Sequence, residues 1–214
     1  MRCDPARLAL YLVTDRRMRP DLPLPELVRR AVAGGVTCVQ LREKEIEGGE
    51  FYRLALAVGE ALAGAGVPLI INDRVDVAAV VPCAGVHLGQ KDLPLEAARR
   101  ILGPGAVIGI SVNTPAEALA AERAGADYLG AGPAFPTGTK LDTDPLLGPA
   151  GLRAVAAAVR IPVVAIGGIH AGNVHELKGL GLAGVSVVSA ICAAPDPTAA
   201  AAGLWDVWNT ENVI

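Results

Sequence analysis

The feature that most constrains this chain is a recurring pattern: eight short runs rich in Val, Ile and Leu recur along its 214 residues, separated by amphipathic stretches rich in Ala, Leu, Glu and Arg. A strand reads as a continuous apolar run, rather than an alternating one, when both faces of its sheet are covered, which is the condition of parallel strands wrapped by helices. The runs predict strands at 8–14, 38–42, 68–72, 85–89, 107–112, 128–132, 162–167 and 184–190. Helices are predicted at 24–33, 49–63, 94–102, 115–124, 149–159 and 171–179. Eight right-handed crossover units in so short a chain match a closed barrel better than an open doubly wound sheet, which usually has fewer units. The expected fold class is α/β, a single-domain (β/α)8 TIM barrel over 1–214.

Local chemistry supports these boundaries. Thr114-Pro115 with Glu117 forms a helix start in which Thr caps, Pro occupies the first turn and Glu reaches back. Gly34-Gly35, Gly64, Gly66, Gly103, Gly125, Gly179 and Gly181 fall where helices must turn left-handed before the next strand. Two stretches break the rhythm. Residues 132–148, rich in Pro, Gly and Thr, follow the sixth strand and predict a mobile, substrate-covering loop. The tail carries Trp205 and Trp208, three apart on a last helix and expected to pack against the barrel wall.

Composition excludes other classes. A net charge of -3 and 3% aromatic residues suit neither phosphate-backbone binding nor base stacking, so no nucleic acid is expected as a partner. No apolar stretch approaches the roughly 18 residues of a membrane span, and the N-terminal run is too short for a signal-peptide core, so no membrane partner and a cytoplasmic location are expected. Cys3, Cys38, Cys83 and Cys192 lack a C-x-x-C pairing and read as buried or incidental thiols.

In a TIM barrel the site lies at the C-terminal ends of the strands. There the second run continues through Gln40, Arg42 and Lys44 on one side, the third ends in Asn72-Asp73, the fourth runs through His87 to Asp92, and the fifth ends in Ser111-Val112-Asn113. Arg42, Lys44 and Lys140 bring cations that suit a diphosphate, against solvation as the alternative for each. Asp73 and Asp92 suit one Mg²⁺, against helix capping. Gly167-Gly168 and Ser189-Ala190 read as a second, phosphate-binding cradle. His87 reads equally as a packed or a ligand-facing imidazole, and His170 and His175 as solvated. No strand end offers a Ser–His–Asp set or an HExxH pair. Two anion sites, one with a metal, and no obvious acid–base machinery fit a reaction in which a diphosphate leaves and a neutral nucleophile attacks.

YLVTD at 11–15, QLREK at 40–44, INDRVDVA at 71–78, GVHLGQKD at 85–92, IGISVNT at 108–114, GPAFPTGTK at 132–140, VVAIGGI at 163–169 and VSVVSAI at 185–191 together resemble the thiamine-phosphate synthase family, in order and spacing over essentially the whole chain. The resemblance implies a transferase that joins 4-amino-2-methyl-5-hydroxymethylpyrimidine diphosphate to hydroxyethylthiazole phosphate, releasing pyrophosphate through a dissociative pyrimidine-methylene cation. It implies Gln40, Arg42, Lys44, Asn72 and Lys140 on the diphosphate, with Mg²⁺ on Asp73 and Asp92. It further implies Ser111 and His87 at the pyrimidine, Thr137 and Thr139 reaching the substrates from the loop, and Gly168, Val188 and Ser189 at the thiazole phosphate. Arg42, Lys44, Ser111 and Lys140 are then the residues expected to carry catalysis. The expected partners are these small molecules, and a homo-oligomer is compatible with the sequence. The nearest rival, a thiazole tautomerase of the same barrel superfamily, would place its catalytic histidine at Asn113 and lacks the threonine-rich loop. A non-catalytic phosphate-binding barrel would not require the aspartate pair.

Overall fold

The computed structural model describes residues 3–138 and 145–210. Among them, eight parallel strands close into a barrel in chain order: β1 Leu10–Val13, β2 Cys38–Leu41, β3 Leu69–Asn72, β4 Gly85–Leu88, β5 Val107–Val112, β6 Tyr128–Ala131, β7 Val163–Ile166 and β8 Gly184–Val187. The expected α/β TIM barrel is the fold found. The outer layer holds α1 Leu24–Ala33, α2 Gly48–Ala61, α3 Val75–Ala78, α4 Leu95–Leu102, α5 Pro115–Ala124, α6 Gly148–Ala158, α7 Ser189–Cys192 and α8 Pro197–Asn209.

Parallel pairing keeps partners on one face, so the barrel interior can be traced around the register. Val13 pairs with Gln40, Gln40 with Ile70, Asn72 with His87, and His87 with Gly109. Ser111 pairs with Gly130, Gly130 with Val164, Ile166 with Ser186, and Ser186 with Tyr11. The intervening residues, including Leu12, Val39, Leu41, Ile71, Val86, Leu88, Ile108, Leu129, Ala165 and Val185, point outward and merge with Leu27, Phe51, Val58, Ala98, Leu152 and Leu204 of the helices into the main core. Cys3, Leu8, Tyr11, Cys38, Ile70, Tyr128 and Val164 form a second cluster.

Most of the expected boundaries lie within two residues of the observed ones. Two do not. The helix expected at 171–179 is reduced to one 3-10 turn, Val174–Leu177. Here the Asn173 side chain accepts from the His170 N–H and donates to the Gly168 carbonyl, both at 2.9 Å, and these local bonds compete with helical ones in a segment ended by Gly179 at φ 70°. The eighth run stops as a strand at Val187, and Ser189 opens the single turn of α7.

The capping box at Thr114 forms as read, and Gly125 ends α5 in the left-handed conformation. Gly34 departs from expectation: it caps α1 at φ -88°, and Gly35 takes the positive φ beneath the Trp205 indole. Trp205 and Trp208 pack against the core as predicted. Among the described residues no helix is long and apolar enough to cross a membrane.

Removing the Thr114 hydroxyl leaves the Glu117 N–H without its cap. Thr114→Ala should cost about 1 kcal/mol, read as a lower denaturation midpoint at unchanged slope.

Candidate active site

The inward residues at the C-terminal ends of the strands enclose a cavity of about 140 Å³, lined by Gln40, Arg42, Asn72, His87, Ser111, Asn113, Thr137 and Val188 among others. Alternation puts Gln40 and Arg42 on its wall and turns Glu43 away. Glu43 is almost fully buried against Arg16, with 3.2 Å between Oε2 and the guanidinium Nε. Burial pushes its carboxyl above the usual range, with Arg16 opposing.

The floor of the cavity is polar but uncharged. The Gln40 amide donates to the Tyr11 hydroxyl at 2.9 Å, Tyr11 and Tyr128 hydroxyls lie 2.8 Å apart, and Tyr128 Oη is 2.9 Å from His87 Nδ1. His87 Nε2 then lies 2.9 Å from Ser111 Oγ. Burial above all holds both phenols well above the ordinary tyrosine pKa, so they stay protonated. Two glycines make this arrangement fit. A Cβ on Gly109 would overlap the Tyr128 ring, and one on Gly130 would come within 3.1 Å of His87 Cε1. The buried Ser186 Oγ, also on the cavity wall, has no hydrogen-bond partner among the described residues, which marks a place for a polar ligand atom.

The rim is charged. Lys44 pairs with Asp73, and Asp92 Oδ2 accepts from the Gly89 N–H at 2.7 Å. Asp73 sits at φ 60°, a left-handed conformation that a non-glycine residue holds at a cost and that clusters at functional sites. Burial first, and then contact with Asp73, push the Asp92 carboxyl above the ordinary range, while the Gly89 N–H pulls it down. Asp92, half-buried beside a second carboxylate, is a group whose ionised form a nearby cation would favour. No trio of His, Cys, Asp or Glu able to cage a metal is found among the described residues. The pair therefore suits an ion that takes one or two carboxylates and completes its shell with water and phosphate oxygens, as Mg²⁺ does.

A second, more open recess adjoins the first and is bordered by Thr137, Gly168, His170, Asn173, Glu176 and Ser189. Gly168 has φ 66°, and a Cβ there would lie 2.6 Å from the Pro136 carbonyl oxygen, so backbone from two loops meets with no room for a side chain. His170 and His175 are exposed, as expected.

The fold thus gathers Gln40, Arg42, Asn72, His87, Ser111, Thr137 and Val188 around one cavity, brings Lys44, Asp73 and Asp92 together at its rim, and puts Gly168 and Ser189 on the neighbouring recess. Thr139 and Lys140 lie outside the described residues, as does part of the 132–148 loop. Tyr11, Tyr128 and Ser186 escaped the sequence reading because they sit one step deeper in their strands than the ends it inspected. Counting back in twos from Val13, Gly130 and Val188 would have found them.

Residues 10–191 match the family model described as "Thiamine monophosphate synthase". The chain is 52% identical over 200 residues to a protein of Desulfitobacterium hafniense described as thiamine-phosphate synthase, covering 94% of this chain and 97% of that one. A thiamine-phosphate synthase of Albidiferax ferrireducens is 50% identical over 194 residues, covering 91% and 89%. Among solved structures, a thiamine phosphate pyrophosphorylase from Pyrococcus furiosus superposes with a TM-score of 0.88 at 40% identity, covering 95% of this chain and 96% of that one.

Asp73→Asn keeps a residue type that tolerates positive φ, removes the repulsion of Asp92 and gives up only a half-exposed ion pair. Its thermal midpoint should stay level or rise by a few degrees, about 1 kcal/mol or less. A clear fall would show that the Lys44 pair holds this loop.

Proposed function

This chain belongs to the thiamine monophosphate synthase family, and from that premise we propose how its barrel carries out the transfer that forms thiamine phosphate. One observation carries the assignment of roles: an uncharged polar floor lies directly beneath a rim of cations and paired carboxylates. A neutral aminopyrimidine fits the floor, and its diphosphate fits the rim. The pyrimidine lies against Ser111 and His87. Gln40, Arg42, Lys44, Asn72 and Lys140 bind its diphosphate, with Arg42 supplying a fork and the lysines point charges. Gly168, Val188 and Ser189 take the phosphate of the thiazole.

The bond from the pyrimidine methylene to the diphosphate oxygen breaks with its electrons leaving on oxygen, and the amino-substituted ring stabilises the methylene cation. The thiazole nitrogen then donates its lone pair to that carbon. Arg42, Lys44 and Lys140 stabilise charge growing on the departing diphosphate. Asp73 and Asp92 would hold Mg²⁺, which supplies further neutralisation of the leaving group. The 132–148 loop, with Thr137 and Thr139, covers both substrates and excludes the water that would trap the cation. Four free cysteines suit the reducing cytoplasm as its compartment. Asn113 tells against a tautomerase, since its amide nitrogen donates to the Gly132 carbonyl and an amide does not shuttle protons at neutral pH.

Pure protein with both phosphorylated heterocycles and Mg²⁺ should release thiamine phosphate and pyrophosphate in equal amounts. Product absent under these conditions, with turnover in a thiazole tautomerase assay, would reverse the assignment. Arg42→Ala and Lys140→Ala should each lower kcat/KM on the order of 100-fold, and unchanged kinetics in both would remove the diphosphate from this rim. In Asp92→Asn the Mg²⁺ concentration for half-maximal rate should rise.

A further inference from the structure

The hydrogen bonds beneath the cavity have a direction, and it can be worked out from the donors. An amide nitrogen only donates, so the Tyr11 oxygen accepts from Gln40. A phenol has one proton to place. If Tyr11 also accepted from Tyr128, its own proton would be left, among the described residues, to the Cys38 sulfur, a weak acceptor, in a fully buried site. A buried hydroxyl proton spent on sulfur is poorly satisfied beside a phenol oxygen 2.8 Å away, so Tyr11 donates to Tyr128. Tyr128 must then spend its proton on His87 Nδ1, the remaining partner of its hydroxyl at 2.9 Å. A neutral imidazole whose Nδ1 accepts carries its proton on Nε2, and Nε2 faces Ser111 Oγ.

We infer that Tyr128, oriented by Tyr11 and Gln40, is a positioning residue that fixes His87 in the Nε2–H tautomer, so that Ser111 accepts from His87 and turns its own hydroxyl proton toward the cavity. The floor therefore offers the substrate a donor. It selects a ring nitrogen with a free lone pair at this point, and the opposite polarity would select an N–H. Gly109 and Gly130 are part of the device: they clear the space in which the Tyr128 ring and the imidazole reach each other. The selection of a ring nitrogen rests on the pyrimidine occupying this cavity, as proposed above. The tautomer itself does not, because it is a property of the protein without substrate.

Nitrogen-15 NMR of the histidine side chains at mildly alkaline pH tests it, with the His87 signals identified by their loss in His87→Asn. The substrate-free protein should show a bare Nδ1 and a protonated Nε2 at His87. Tyr128→Phe should shift His87 toward the Nδ1–H form and raise KM for the pyrimidine diphosphate about tenfold or more, the size of one lost hydrogen bond to a polar group, with KM for the thiazole phosphate unchanged. Tyr11→Phe leaves the Tyr128 donor in place, so the tautomer should persist and the kinetic change should be smaller. A protonated Nδ1 in the unsubstituted protein overturns the inference without need of any variant, as does an unchanged tautomer in folded Tyr128→Phe. Equal loss for both substrates in Tyr128→Phe overturns the link to substrate selection and assigns the tyrosine to packing. Absence of synthase activity alongside the expected tautomer would sink the functional reading and leave the relay standing.

Discussion

Closure of a parallel barrel allows each strand only alternate residues inside, and parallel register carries that choice unchanged from one strand to the next. The path from Val13 to Gln40, Ile70 and round to Ser186 and Tyr11 is the physical trace of this constraint. Interior space is consequently scarce, and the bulkiest polar side chains here are matched by glycines on nearby strands. Tyr128 exists where Gly109 leaves room for it, and His87 where Gly130 does. The outward residues have no such limit, which is why they are nearly all Val, Leu and Ile against the helices.

The same constraint separates charge from neutrality. The barrel interior is a poor solvent for ions, so an unpaired carboxylate or ammonium at the level of Tyr11 would cost far more than one at the rim. Polar groups that do enter are uncharged and linked head to tail, Gln40 to Tyr11 to Tyr128 to His87 to Ser111. Charged residues collect one layer higher, where Lys44, Asp73 and Asp92 meet water. A substrate with a neutral ring and a polyanionic tail has the same division, and it can satisfy both layers at once.

Local cost gathers at that upper layer. Asp73 holds a positive φ, and its neighbour Asp92 resists ionisation. Both also hold their loops, Asp73 through its N–H on the His87 carbonyl and Asp92 by accepting from the Gly89 N–H. A divalent cation on these carboxylates, as proposed, would offset the burial and the repulsion that hold Asp92 toward its protonated form.

The sequence by itself determined the barrel. Apolar runs of the right length, set between amphipathic stretches and glycine stops, report burial on both faces, and burial follows from composition along a short window. It also determined which residues stand at the strand ends, so Arg42, Asn72, Asp73, Asp92 and Ser111 were legible as a rim, and the family motifs placed them in one chemistry. Only the tertiary structure decided what happens inside. That Tyr11 meets Tyr128, 117 positions away, depends on the barrel closing through β1 and β8, and no local pattern encodes it. The fate of 171–179, by contrast, is local: Asn173 bonds to Gly168 and His170 and holds the segment to a single turn, a competition that apolar periodicity does not report. Periodicity records which face of an element is covered, whereas hydrogen-bond partners across a barrel are chosen by geometry that exists only after it closes.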